Sequence, residues 1–364
     1  MILNSKFIYY QIQKNWLGIF LALSTIFYIK GLTSKIFYQP VFILSIFVFI
    51  YFTFYLFKIY RINKKYIFYI SLTFILFISM LFQIANGITY TNGIVNELGR
   101  IIFPFLLAIS IFFILERNNE LWNIFLNILI IMLLIDTLYR IFETGIYFPS
   151  LTNRYLIKTH GILFIDPNFT GYIAGTIFLL LAKFKNFRKV ILKKIILLLV
   201  VFYSMSFAVW AGLFIVFLFA IIKRCFILKI LSLFIIAIAL LSLYNFVSND
   251  GSFLTKIQIL QLSYNFFTTE SFVKVLIGIG HGNFASYFAE TNHGAHNLIG
   301  ISVEGGLLFL LVNIIFYFYL WINNENKLAI IFILSAGLVS MYPIAYMSPI
   351  YVLLFYNNTK RRFV

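Results

Sequence analysis

Residues 291–306, "TNHGAHNLIGISVEGG", bring together side chains that could move protons or hold charge: His293, His296, Asn297 and Glu304, interleaved with four glycines. An imidazole changes charge near neutral pH, so His296, at the mouth of a long apolar run, is a candidate general base. Asn297 reads as the N-cap of the helix that follows. Glu304 lies seven residues on, nearly on the same helix face and ~10 Å deeper. A carboxylate at that depth must pair or be protonated, and Glu304 is a candidate to orient His296. His293 and Asn297 are candidate substrate contacts. A zinc site is the rival reading, with His293 and His296 as ligands and Glu290 three residues before. The glycine between the two histidines loosens that geometry and no HExxH pattern is present, so neither a metal nor another cofactor is expected.

A second constellation, "RYLIKTHGILFIDPNFTGYIAG", runs from Arg154 to Gly175. Asp166 can cap a helix whose first residue is Pro167. That leaves Arg154, Lys158 and His160 beside a helix N-terminus, an arrangement that suits an anion. The planar donor fork of arginine matches phosphate. Arg154, Asp166 and Asn168 are therefore candidate contacts to a phosphate group. Asp136 and Arg140 stand four apart in an apolar run, with the acid first. They read either as a self-neutralising pair or as an arginine turned to an anionic ligand and oriented by its aspartate.

These residues need a frame, and composition supplies it. Of 364 residues 62% are hydrophobic and 11% charged, with a mean hydropathy of +0.99. Apolar stretches of about 20 residues cross a bilayer, and such stretches fill the chain. The expectation is an all-α polytopic membrane protein, a single membrane domain over 1–364. About twelve spans are expected, near 15–30, 36–57, 66–86, 101–115, 121–141, 166–182, 190–204, 206–222, 229–247, 297–321, 328–342 and 344–357. Segment 247–296 is the one large loop, and within it "FLTKIQILQLSYNFF" has helical spacing. The net charge of +17 is placed as a topology signal. With both termini in the cytoplasm, 20 of the 28 Lys and Arg fall on inner segments, so no nucleic-acid partner is expected. All four histidines and seven of the eleven acids then fall outside. The lone Cys225, in an inner loop, offers neither a disulfide framework nor a Cys metal site.

"LIGIGHGNF" followed by "HGAHNLIGISVEGGLLFLLVNIIFY" resembles the signature of the O-antigen polymerase and O-antigen ligase superfamily. There a G-x-G-x-x-N-F turn leads into an H-N…E-x-G segment opening a transmembrane helix. "HGILFIDPNFTGYIAG" is similar to the family's G-x-F-x-x-P-N segment, with Arg154 upstream. The resemblance covers roughly 150–320. It implies a GT-C-like glycosyltransferase in the bacterial inner membrane, acting at its outer face on oligosaccharides carried by undecaprenyl diphosphate. It also implies an outer histidine as base, here His296, and basic residues on the diphosphate, here Arg154, Arg140 and Lys256. Two positions depart from the pattern. Ser206-Phe207-Ala208 lacks the arginine common at the start of the span before the large loop, and Lys256 stands where the loop commonly begins with another. Both departures favour the divergent polymerases. The expected activity is transfer of a growing glycan onto the next lipid-linked repeat unit, with membrane lipid and a chain-length regulator protein as further partners. The alternatives are an O-antigen ligase, whose acceptor is lipid A–core, and a flippase or transporter of lipid-linked oligosaccharides. A transporter would place its charges at the midplane and on both sides.

Overall fold

The computed structural model describes residues 2–29, 32, 38–57, 64–116, 118–145, 161–163, 167–182, 188–222, 251–288, 291, 294–295, 297–323, 326–339 and 348–356. These residues are helical, with no strand among them. The helices are α1 (Ile2–Ile26), α2 (Pro40–Phe57), α3 (Lys64–Ala85), α4 (Ile94–Leu115), α5 (Asn119–Thr144), α6 (Pro167–Ala182) and α7 (Arg188–Tyr203). They continue with α8 (Phe207–Ile222), α9 (Gly251–Thr269), α10 (Phe272–Ile277), α11 (Phe284–Tyr287), α12 (Leu298–Asn323), α13 (Lys327–Val339) and α14 (Ser348–Phe355). Eleven of the twelve expected segments overlap a described helix, some only in part. The span expected at 229–247 lies outside the described residues.

Among the described residues four stretches are long and apolar enough to cross a membrane: Tyr66–Ala85, Ile94–Leu115, Asn119–Thr144 and Leu298–Asn323. Shorter apolar helices surround them. Sixteen residues of α6 or α8 extend only about 24 Å at 1.5 Å per residue. Large apolar side chains such as Phe54, Phe74, Phe82 and Phe318 are exposed. That distribution is natural where the surrounding solvent is itself apolar.

The central helix is α4, with 78% of its most apolar window buried. It packs on α2, α3, α5 and α14. Phe105 on α4 meets Phe316 of α12 edge-on and Tyr351 of α14. Local chemistry sets several boundaries. Asn118 caps α5 by accepting from Glu120 and Leu121 N–H. Asn297 accepts the Gly300 N–H at 2.7 Å and opens α12. Pro167 is the first residue of α6, as its fixed φ and missing N–H favour.

The loop helix α9 forms where the spacing predicts one. Ile259, Leu262, Ser263 and Phe266 face inward, while Leu254, Ile257 and Tyr264 are exposed. Its inner face packs on α12. Span α12 is not one rod. It is broken at Gly306, whose φ of 71° and ψ of −176° are not helical.

Candidate functional site

The break in α12 faces the glycine-rich turn between α10 and α11. Gly278, Gly280 and Gly282 all have positive φ, at 82°, 93° and 80°, a region side chains with a Cβ disfavour. The turn runs along the broken helix like a strand: Ile279 N–H donates to Val303 O at 3.1 Å, and Gly280 N–H to Glu304 O at 2.9 Å. The contact is backbone on backbone. A Cβ on Gly278 would overlap Glu304 O, and one on Gly306 would overlap Leu276 O. Gln83, near the end of α3, seals the seam. Its amide donates to Ile277 O and to Glu304 O at 2.8 Å, and its own oxygen accepts from Tyr90 at 2.7 Å.

The Glu304 side chain enters the same turn. Its Oε1 accepts the Phe284 N–H at 3.1 Å. Its Oε2 lies 3.9 Å from His281 Nδ1, a close approach without a hydrogen bond. Glu304 and His281 are both about 2% exposed. The His281 ring sits edge-on to Phe309, centroids 5.2 Å apart, over Gly305, where a Cβ would crowd it. Burial, with the Arg100 guanidinium as second cause, pushes the His281 imidazole down to about 3. It is therefore neutral at physiological pH.

Arg100 belongs to a neighbouring pair at the start of α4. Its Nη1 donates to both oxygens of Glu97, at 3.0 and 2.9 Å, and Asn92 donates to Glu97 at 3.0 Å. Asn283 stitches this corner to the turn. Its oxygen accepts from Thr91 N–H and hydroxyl, and its amide donates to Thr89 O and Ile279 O.

The Asp136–Arg140 pair is a second buried cluster at the same end of the bundle, since α5 runs antiparallel to α4. Asp136 Oδ1 accepts from Ile162 and Leu163 N–H, both at 2.9 Å. Its Oδ2 accepts from Thr170 at 2.9 Å and from Arg140 Nε at 3.0 Å. One carboxylate thus joins α5, segment 161–163 and α6 while fixing Arg140 through Nε. The other face of the guanidinium lies against Gly161, where a Cβ would collide with it. The buried ion pair is the one the sequence offers, and it is compatible with both readings left open there.

The mouth of α12 gathers a third group. Asn297 is 1% exposed. Its oxygen caps the helix, while its Nδ2 has no hydrogen-bond partner among the described residues. Ile259 of α9 and Ala295 touch the helix at Gly300. Lys256 stands one turn before Ile259, hence on the neighbouring part of the same face. Asn168 is buried at the start of α6. Arg154, Asp166, His293 and His296 lie outside the described residues, as do Lys158 and His160. Among the described residues no three His, Cys, Asp or Glu side chains are grouped to hold a metal ion.

Of the residues singled out in the sequence, the structure describes Glu304, Asn297, Asp136, Arg140, Asn168 and Lys256. Gln83, Glu97, Arg100 and His281, which the structure gathers around the glycine-rich turn, were not singled out in the sequence. Gln83 did carry a signal: a lone amide inside an apolar span needs partners at that depth. No family model, curated protein or solved structure matches the chain.

Proposed function

We propose that the chain is a glycosyltransferase of the O-antigen polymerase type, with about twelve spans and a GT-C-like architecture. In this reading both termini are cytoplasmic and the protein sits in a bacterial inner membrane. It moves a growing glycan from undecaprenyl diphosphate to the next lipid-linked repeat unit at the outer face. Displacement at an anomeric carbon needs a base for the incoming hydroxyl and stabilisation of charge on the departing diphosphate. His296 is assigned the first role. The second falls to Arg154, Arg140 and Lys256, with Asn168 and Asn297 as neutral contacts.

The observation that carries this reading is the mouth of α12. A buried helix N-terminus, which favours negative charge, there carries an Asn297 amide nitrogen with no partner among the described residues and has Lys256 on the adjoining helix. Glu304 and the glycine turn hold the helix break two turns below, so the mouth is a fixed feature. The one-ended placement of Asp136–Arg140, Glu97–Arg100 and Glu304–His281 disfavours a transporter, which needs groups at the midplane and on both sides.

The test is complementation in a strain lacking the gene. His296→Ala, at equal membrane abundance, should leave single repeat units on lipid A–core and no long chains. A general base typically contributes ~10²–10⁴ in rate. His296→Gln should fail equally, and Arg154→Lys should be intermediate because charge is kept while the donor fork is lost. Near-normal long chains from His296→Ala would remove that histidine from the mechanism. Loss of all glycan on lipid A–core would favour the ligase instead.

A further inference from the structure

We propose that the first turns of α7 bind the headgroup of an anionic phospholipid, with Lys189 and Lys193 as charged contacts and the exposed face of the same helix as the bed for its acyl chains. The site lies at the end of the bundle opposite Asp136–Arg140, because α6 runs from that cluster to Ala182 and α7 packs back along it. Its assignment does not depend on the polymerase reading. Arg188, Lys189, Lys193 and Lys194 fall within the first two turns of α7, and no acid stands in the first turn. Lys189 and Lys193 are four apart, one above the other on the helix surface, and their charges repel. Lys189 is exposed, whereas Lys193 is half-buried. Like charges at that spacing destabilise a helix, and cations at its N-terminus oppose the dipole. Both penalties fall on one spot, and an anion there relieves both.

The neighbouring helices do not supply that anion. From residue 167 to residue 249 the sequence has no Asp or Glu, so α6, α7 and α8 carry none. Besides α6 and α8, α7 packs on α5. There Glu120 is tied to Lys14 and Asp136 to Arg140. Among the described residues neither Lys189 nor Lys193 forms an ion pair. What adjoins the charges selects the occupant. Arg188, Leu192, Ile195 and Leu199 recur at helical spacing on one face, and all four are exposed. A basic collar that opens directly onto an apolar, lipid-facing stripe matches a molecule with phosphate at one end and acyl chains at the other. Free phosphate would meet the charges and leave the stripe unused.

The test places the purified full chain in vesicles of phosphatidylcholine with a graded share of phosphatidylglycerol. Native mass spectrometry counts the lipids each protein retains, and heating gives its thermal midpoint. Wild type should retain phosphatidylglycerol over phosphatidylcholine by roughly tenfold, the scale of attraction that two juxtamembrane lysines exert, and its midpoint should rise with the phosphatidylglycerol share. Lys189→Gln should bring retention close to parity, whereas Lys64→Gln, at the exposed start of α3, should leave it unchanged. Lys189→Glu separates charge relief from simple damage. It sets an acid four residues before Lys193 at a helix start, the favourable order. In pure phosphatidylcholine it should melt above wild type, and added phosphatidylglycerol should no longer raise its midpoint. Millimolar inorganic phosphate should not displace the retained lipid. Equal retention of both lipids by wild type would overturn the proposal. So would undiminished selectivity in Lys189→Glu, and displacement by inorganic phosphate would replace the lipid with a free anion.

Discussion

Glu304 is buried, and its carboxylate is spent on the turn: one oxygen on the Phe284 N–H, the other beside His281. Glu304→Leu removes the acceptor and leaves the Phe284 N–H without its partner. It should cost about 1–3 kcal/mol, the penalty of an unsatisfied buried group, and hydrogen exchange at Phe284 N–H should accelerate. Unchanged exchange there would contradict the role assigned to the carboxylate. His281 gives a pH signature. Its folded pKa of about 3 lies below the unfolded value near 6.5, so protons bind the unfolded chain more readily. The resulting stability is full above about pH 6.5 and is lost as pH falls toward 3. The thermal midpoint should therefore drop between pH 7 and pH 4, and His281→Phe should flatten that dependence. An equally steep decline in His281→Phe would assign the acid sensitivity to other groups.

Among elements, the turn 277–283 and the broken helix α12 behave as one unit. Gly278→Ala and Gly306→Ala each force a Cβ into backbone at positive φ. Each should cost about 3 kcal/mol or more, from strain and overlap together. Gly87, at φ +76 with open space around it, is the control, and Gly87→Ala should cost only the backbone penalty of about 1–2 kcal/mol. Thermal unfolding of the three variants in detergent checks the order. What the sequence disclosed follows the same division. Pro167 opening α6 and Asn297 capping α12 were legible because capping chemistry lies within a few residues of chain. The helical spacing of α9 was legible because a half-buried helix must repeat with its own period. The break at Gly306 was not, because its φ is set by Leu276 and Gly278 arriving from another loop. Asp136 was seen as a partner for Arg140, but its bonds to Ile162, Leu163 and Thr170 depend on how α5 and α6 pack. The contacts of the glycine-rich turn with Gln83 and Glu304 were not legible, because they are tertiary.

For the whole molecule, the described buried charges gather at the end where α3 stops, α4 begins and α12 opens. In the proposed topology, which rests on the charge bias of the connecting segments, that end faces outside. A reporter fused after Asp250 should be active only outside the cytoplasm, and one after Lys189 only inside; the reverse would turn the bundle over and place the chemistry on the wrong side for an exported glycan. The central claim is polymerisation, and the most direct measurement is reconstitution. Purified protein in vesicles is supplied with a single repeat unit on undecaprenyl diphosphate, without lipid A–core and without any nucleotide sugar. The account predicts a ladder of products at whole-repeat intervals, one undecaprenyl diphosphate released per linkage formed, and no ladder from His296→Ala. Lipid-linked repeat units that cross the vesicle membrane or remain single, with no ladder and no released carrier, would contradict it.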